Sequence, residues 1–205
     1  MLHFPAFWNA FNLNLYMHWA ASGSASQVSV DLALLLAKDA IVAVPLLLVW
    51  GWLRRPEALR LPLLQAAFAA LLALGINQLI GLVVFEPRPF AIGLGPALLP
   101  HAPDSSFPSD HLSVIWSVAA SLMLCAPWRR AGLLLVLLGL PVAWARVYLG
   151  VHWPLDMMGA ALVGLAAALL THRAGQRVLA AAMPLFTRVY RKLFAPAIRH
   201  GWAIR

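Results

Sequence analysis

The sequence predicts an all-α integral membrane bundle, one domain over residues 1–205, with about five transmembrane helices and an N-terminal helix in the interface. Three observations carry this expectation. Hydrophobic residues make up 62% of the chain and charged ones only 11%, far from the balance of a soluble domain. The apolar runs are long enough to span, because about 20 residues at roughly 1.5 Å each cross a hydrocarbon core of about 30 Å. The basic residues fall between those runs in a pattern that alternates from one side to the other.

Residues 1–25 lack the basic n-region of a signal peptide, and "FPAFWNAFNLNLYMHW" mixes aromatics with asparagines. Phe4, Phe7, Trp8, Phe11 and Leu15 recur at helical spacing, which predicts a helix lying in the interface. The spans follow at Val28 to Trp50, Pro62 to Phe85, Ser109 to Ala126, Ala131 to Leu149 and Pro154 to Thr171. Cys125 is the single cysteine, so no intrachain disulfide forms, and its place in an apolar span suits packing. Residues 172–205 read as a basic amphipathic cytoplasmic tail, with Phe186, Val189, Tyr190, Leu193 and Phe194 set against Arg188, Arg191 and Lys192.

The formal charge of +8 reflects topology more than a polyanionic partner. Arg54, Arg55 and Arg60 lie between spans one and two, Arg129 and Arg130 between spans three and four, and Arg173, Arg177, Arg188, Arg191, Lys192, Arg199 and Arg205 after span five. All fall on one side of a five-span chain, the cytoplasmic side by the positive-inside rule. Anionic lipid headgroups are their natural partner, and no nucleic-acid motif accompanies them.

Removing those charges leaves an unusual remainder on the other face. It comprises Glu86, Arg88, His101, Asp104, Asp110, His111, Arg146, His152 and Asp156, with Asp31 nearby, and all but Asp31 come from two segments. Ionisable groups gathered at one membrane face mark a functional site. The first segment, residues 86–108, is rich in proline and glycine, which forbid a helix and favour a fixed loop. Arg88 lies between two prolines, a rigid fork for phosphate or carboxylate oxygens.

At the end of that loop "PSDH" opens span three. Ser109 suits the N-cap, and the free N–H groups of the first turn form an anion site; simple capping by Ser109 and a dipole-favouring Asp110 explain the same letters. Asp110 is also placed to tune the adjacent His111. The second segment is "ARVYLGVHWPLDMMG", in which His152 follows Arg146 by six residues and Asp156 follows His152 by four. Pro154 fits the first turn of a helix, so Asp156 can reach back to His152 and leave its other ring nitrogen unprotonated and nucleophilic. A capping aspartate with an interfacial histidine is the plainer alternative. Two arginines, two histidines, a helix N-terminus and a carboxylate at one rim together match phosphoryl transfer.

These residues resemble the membrane-embedded type 2 phosphatidic acid phosphatases. That family carries a lysine seven residues before Arg-Pro, then Pro-Ser-Gly-His, then Ser-Arg followed by a histidine and an aspartate. Here the corresponding residues are Arg88-Pro89, Pro108-Ser109-Asp110-His111, and Ala145-Arg146 with His152 and Asp156. Gly81 stands in place of the lysine, Asp110 in place of the glycine and Ala145 in place of the serine. With these variants the chain is similar to the undecaprenyl pyrophosphate phosphatases of the bacitracin-resistance type, through "EPRPF", "SFPSDH" and "RVYLGVHWPLD".

The resemblance implies a bacterial inner-membrane enzyme that cleaves undecaprenyl diphosphate to its monophosphate and inorganic phosphate, recycling the cell-wall lipid carrier. His152 would be the nucleophile, oriented by Asp156. His111 would protonate the leaving oxygen and then activate water. Arg88, Arg146 and Ser109 would hold the phosphoryl oxygens, with no cofactor and no metal.

Lys38 and Asp39 sit within span one, where a charge needs a partner or water. Lys38 is read as replacing the cation missing at Gly81, or else as pairing with Asn77 or Gln78. Glu86 and Asp104 are candidates to tune the neighbouring histidines and arginines, and His101 carries a weaker signal. The competing functions are a phosphatase of another lipid phosphate, a metal-dependent hydrolase using the acids and histidines as ligands, and a transporter that only binds the headgroup.

Overall fold

The computed structural model describes residues 6–95 and 98–204, with side chains from residue 9. Phe4 and Arg205, and the side chains of Phe7 and Trp8, lie outside the described residues. The described residues form α1 (Ala6–Trp19), α2 (Gln27–Lys38), α3 (Ala43–Arg54), α4 (Arg60–Val83), α5 (Asp110–Met123), α6 (Arg129–Tyr148), α7 (Pro154–Leu170), α8 (Gln176–Leu193) and α9 (Ala195–Arg199). The architecture is all-α, as the sequence predicts.

Four helical stretches among the described residues are long and apolar enough to cross a membrane unaided: Gln27–Arg54, Glu57–Val83, Ala126–Tyr148 and Pro154–Leu193. The expected third span is instead α5, whose 14 residues extend only about 21 Å. It is the central helix, packed against α4, α6 and α7. Protein replaces lipid around it, so its length need not match the hydrocarbon thickness.

Close packing around α5 requires small residues. A Cβ on Gly164 of α7 would stand 2.8 Å from the Ser117 amide nitrogen, and one on Gly132 of α6 would stand 2.6 Å from the Ala119 carbonyl oxygen. The polar atoms that this brings inside are paired. Ser117 Oγ donates to the Val114 carbonyl, and Ser121 Oγ lies 3.0 Å from His172 Nε2.

Two departures from the predicted elements matter. First, the leading span is broken: α2 ends at Lys38, a short 3₁₀ turn covers Ala40–Val42, and α3 resumes beyond it. Second, α7 does not stop at Thr171; a π-turn at Thr171–Gly175 carries it into α8. The tail then folds back on the end of the bundle opposite the α5 N-terminus, where the Ile204 amide donates to the Leu53 carbonyl. Arg60 is fully buried there, bonded to the carbonyls of Trp52 and Ile204, with its guanidinium 4.4 Å from the Tyr190 ring centre.

Helix α1 forms as predicted, but its bundle-facing side is Asn12 and Tyr16, while Phe11 remains exposed. Asn12 Oδ1 accepts from the Leu155 amide at the start of α7, and Tyr16 packs on Trp153 with 5.2 Å between ring centres. The polar and aromatic residues of "NLNLY" thus anchor α1 over the α6–α7 link. Of the apolar stripe read from the sequence, the described side chains are Phe11, which is exposed, and Leu15, which is half-buried.

Candidate active site

The antiparallel order of α4 to α7 puts the end of α4, the start of α5, the end of α6 and the start of α7 at one end of the bundle. The described parts of the loop, residues 84–95 and 98–109, close across them. Pro87 and Ser105 pair across its base, and the Glu86 carbonyl accepts from Ser106 N–H at 2.8 Å. A cavity of ≈ 350 Å³ opens there, lined by Asn77, Gln78, Gly81, Leu82, Arg88, His101, Asp104, Asp110, His111, Arg146 and His152 among others.

His152 is the hub. Its Nδ1–H donates to Asp156 Oδ2 at 3.0 Å, and the same oxygen accepts from the Trp153 amide at 2.8 Å. Pro154 opens α7, so the carboxylate of Asp156 in the first turn reaches back over the helix start. With the proton fixed on Nδ1, the lone pair is on Nε2, where Arg88 Nη1 donates at 3.3 Å and Arg146 Nη2 at 3.2 Å. Burial, then the charges of Arg146 and Arg88, hold the His152 pKa well below the ordinary imidazole value. The ring is therefore neutral at neutral pH, as a nucleophile requires.

Both arginines are locked by groups other than His152. Arg88 Nε donates to Asp104 Oδ1 at 2.9 Å, and its Nη atoms donate to the carbonyls of Val151 and Ser105. Arg146 Nη1 donates to the Ala37 carbonyl at 3.0 Å, beside the break after α2. Arg146 Nε is buried without a partner. Unpartnered donors on a buried cation are an anion site in waiting.

His111 lines the cavity from the first turn of α5. Ser109 takes the N-cap position but makes no capping bond; its hydroxyl is buried and unpartnered, beneath the wall formed by Pro108 and Asp110. Of the auxiliary candidates, Asp104 clamps Arg88, whereas Glu86 is buried beside a second cavity against α1.

Two expectations are corrected. Asp110 accepts from Asn77 Nδ2 at 2.7 Å, a contact across to α4 in place of the adjacent His111, because neighbouring residues on a helix point apart. Lys38 is exposed where α2 ends and does not line the cavity, so it does not replace the cation missing at Gly81. Nor does it pair with Asn77, which is committed to Asp110 and Ser113. His101, weak in the sequence, lines the same cavity with its ring centre 6.3 Å from that of His152.

The structure brings in further contributors. Asn77 was legible as an amide in an apolar run, a position that demands a partner. Asn12 and the Ala37 carbonyl act through tertiary contacts that no local pattern marks. Among the described residues no group of three or more His, Cys, Asp or Glu is arranged to hold a metal ion.

The model of the PAP2 superfamily matches residues 62–180, a stretch that holds every residue of the cavity. The chain is 40% identical over 196 residues to the putative undecaprenyl-diphosphatase YbjG of Escherichia coli, covering 93% of this chain and 96% of that one. It is 40% identical over 126 residues to undecaprenyl-diphosphatase BcrC of Bacillus subtilis, covering 62% and 64% of the two chains. Among solved structures it is similar in fold to LpxE of Aquifex aeolicus, with a TM-score of 0.57 at 22% identity over 80% of this chain and 95% of that one.

Proposed function

The chain belongs to the PAP2 superfamily, and from that premise we propose that it hydrolyses undecaprenyl diphosphate to undecaprenyl phosphate and inorganic phosphate. The observation that carries the reading is His152 held between Asp156 on Nδ1 and two guanidinium groups on Nε2. A binder or transporter needs the arginines but has no use for a buried, oriented and neutral imidazole.

The terminal phosphoryl group takes the guanidinium hydrogen bonds now made to Nε2, which brings phosphorus to the nitrogen lone pair. Nε2 attacks, the P–O bond to the lipid phosphate breaks, and His152 becomes a phosphohistidine. Asp156 stabilises the charge that develops on the ring. His111, at the start of α5, protonates the leaving oxygen. Water then releases inorganic phosphate. Arg88, Arg146, Ser109 and the first-turn amides of α5 hold the phosphoryl oxygens.

The diphosphate of a polyprenyl lipid must meet water while its chain stays in the bilayer, and a cavity at one end of the bundle suits both demands. A Cβ at Gly81 would meet nothing within 4 Å, so this wall leaves room for the lipid-linked phosphate. The basic residues at the opposite end of the bundle support a cytoplasmic C-terminus, with the site on the outer face of the bacterial inner membrane. There the enzyme recycles the cell-wall lipid carrier and contributes to bacitracin resistance. Catalysis needs no metal, since Asp104, Asp110 and Asp156 are each engaged by Arg88, Asn77 and His152.

The test is phosphate release by the purified protein from undecaprenyl diphosphate, phosphatidic acid, phosphatidylglycerophosphate and diacylglycerol diphosphate, with and without EDTA. Preference for the polyprenyl diphosphate, unaffected by EDTA, is expected. Preference for a glycerolipid would reassign the substrate. Activity abolished by EDTA and restored by zinc would replace the histidine mechanism with a metal-dependent one.

A further inference from the structure

Two amides stand side by side less than two turns from the end of α4, and only apolar residues follow them to Val83. Asn77 is turned inward, buried and bonded to Asp110 and Ser113. Gln78 is exposed and lines the cavity, and its amide has no hydrogen-bond partner among the described residues. An amide in a membrane-spanning stretch needs water or a polar ligand to meet its donors. Gly81, one turn further on, leaves open space on the same wall. Leu82 also lines the cavity and is 73% exposed, so this wall carries the edge of the cavity to the outer side of α4.

The two phosphates of a lipid diphosphate must lie in different places. Arg88 and Arg146 converge on His152 Nε2, which fixes the terminal phosphoryl group there, and in-line displacement puts the leaving oxygen on the side away from Nε2. The leaving phosphate carries the lipid chain, so it belongs at the edge of the cavity that reaches the outer side of α4. The acids of the cavity, Asp104 and Asp110, are engaged by Arg88 and Asn77. On the α4 wall Gln78 is the side chain with a donor to spare.

We propose that Gln78 is a specificity-determining residue, whose side-chain amide donates to the lipid-linked phosphate and so forms a second phosphoryl subsite beside that at His152. Negative charge grows on this phosphate as the bridging P–O bond breaks, and a donor placed there favours its departure. A lipid monophosphate offers no second phosphoryl group to Gln78, so the residue favours diphosphates. The inference rests on the reading of the protein as a lipid diphosphate phosphatase.

The test measures inhibition by inorganic pyrophosphate, which fills both subsites, and by inorganic phosphate, which fills the terminal one. Gln78→Leu, a substitution at home in an apolar helix, and Gln78→Glu, of the same shape but opposed to phosphate, are compared with the unmodified enzyme. Pyrophosphate should inhibit the unmodified enzyme more strongly than phosphate. In Gln78→Leu its inhibition constant should rise about tenfold, the worth of a hydrogen bond to a charged group, while that of phosphate stays within about twofold. Gln78→Glu should weaken pyrophosphate further, and kcat/KM for undecaprenyl diphosphate should fall in the same order. An equal rise in both constants marks a structural role, and unchanged pyrophosphate inhibition removes Gln78 from the site; either overturns the proposal, as does an unmodified enzyme that binds pyrophosphate no better than phosphate. If the unmodified enzyme does not cleave undecaprenyl diphosphate, it is the substrate reading that fails, and the two constants, read with the lipid phosphate it does cleave, still decide the role of Gln78.

Discussion

His152 and Asp156, one turn apart in sequence, meet Nδ1 to Oδ2 at 3.0 Å with both side chains buried. Asp156 Oδ2 also accepts from the Trp153 amide at 2.8 Å, so the carboxylate is held in place to fix the tautomer of His152. Asp156→Asn keeps the shape but can present an amide N–H to Nδ1, which would move the ring proton to Nε2 and remove the nucleophile. Turnover should fall by about 10³- to 10⁴-fold with little change in KM, as measured by phosphate release. A loss confined to KM would mean that Asp156 serves binding alone.

The pH profile follows from the same ring. Attack requires unprotonated Nε2, and burial with the charges of Arg146 and Arg88 lowers the His152 pKa. The neutral fraction is lost only when pH falls through that lowered value, so the acid limb of kcat/KM should lie below the ordinary imidazole pKa of about 6.5. Arg88→Gln removes one of the charges that oppose protonation, and the limb should move to higher pH. Movement to lower pH would contradict the electrostatic assignment.

Asn77 and Asp110 join α4 to the first turn of α5, and Asn77 Nδ2 also reaches Ser113 Oγ at 3.0 Å. Asn77→Ala leaves buried Ser113 without that partner and should cost about 1–3 kcal/mol in chemical denaturation. Asp110→Ala removes the acceptor of the amide, and stability should fall while the basic limb of the pH profile stays in place. A shifted limb would show that the carboxylate acts on His111 after all.

At the far end of the bundle, Arg60 bonds to the Trp52 and Ile204 carbonyls and lies against Tyr190. Arg60→Met should lower stability by about 2 kcal/mol or more, with KM and the pH profile unchanged in the folded fraction. An altered pH profile would mean that the tail communicates with the site.

Much of the site was legible because its signals are local. A helix start with Pro154 and Asp156 places His152, and alternation of basic loops places the charges of residues 86–111 and 146–156 at one end. The PSDH run likewise marks the mouth of α5. What escaped is tertiary. The break after Lys38 is marked by Pro45 in the first turn of α3, which has no N–H for the Ile41 carbonyl, but no local pattern shows that it sets Lys38 on the surface and leaves the Ala37 carbonyl to Arg146. Asp110 looked like a partner for its neighbour because its real partner, Asn77, lies 33 residues away. His101 is placed by tertiary contacts of its loop, the Pro87–Ser105 pair and the Arg88 to Asp104 clamp among them.

The proposed reaction passes through a covalent phosphohistidine on His152. Incubation with terminally labelled undecaprenyl diphosphate, an alkaline quench and peptide mapping should place the label on His152, with none on His152→Ala and no turnover by that variant. Full turnover by His152→Ala, or label on another residue, would contradict the account.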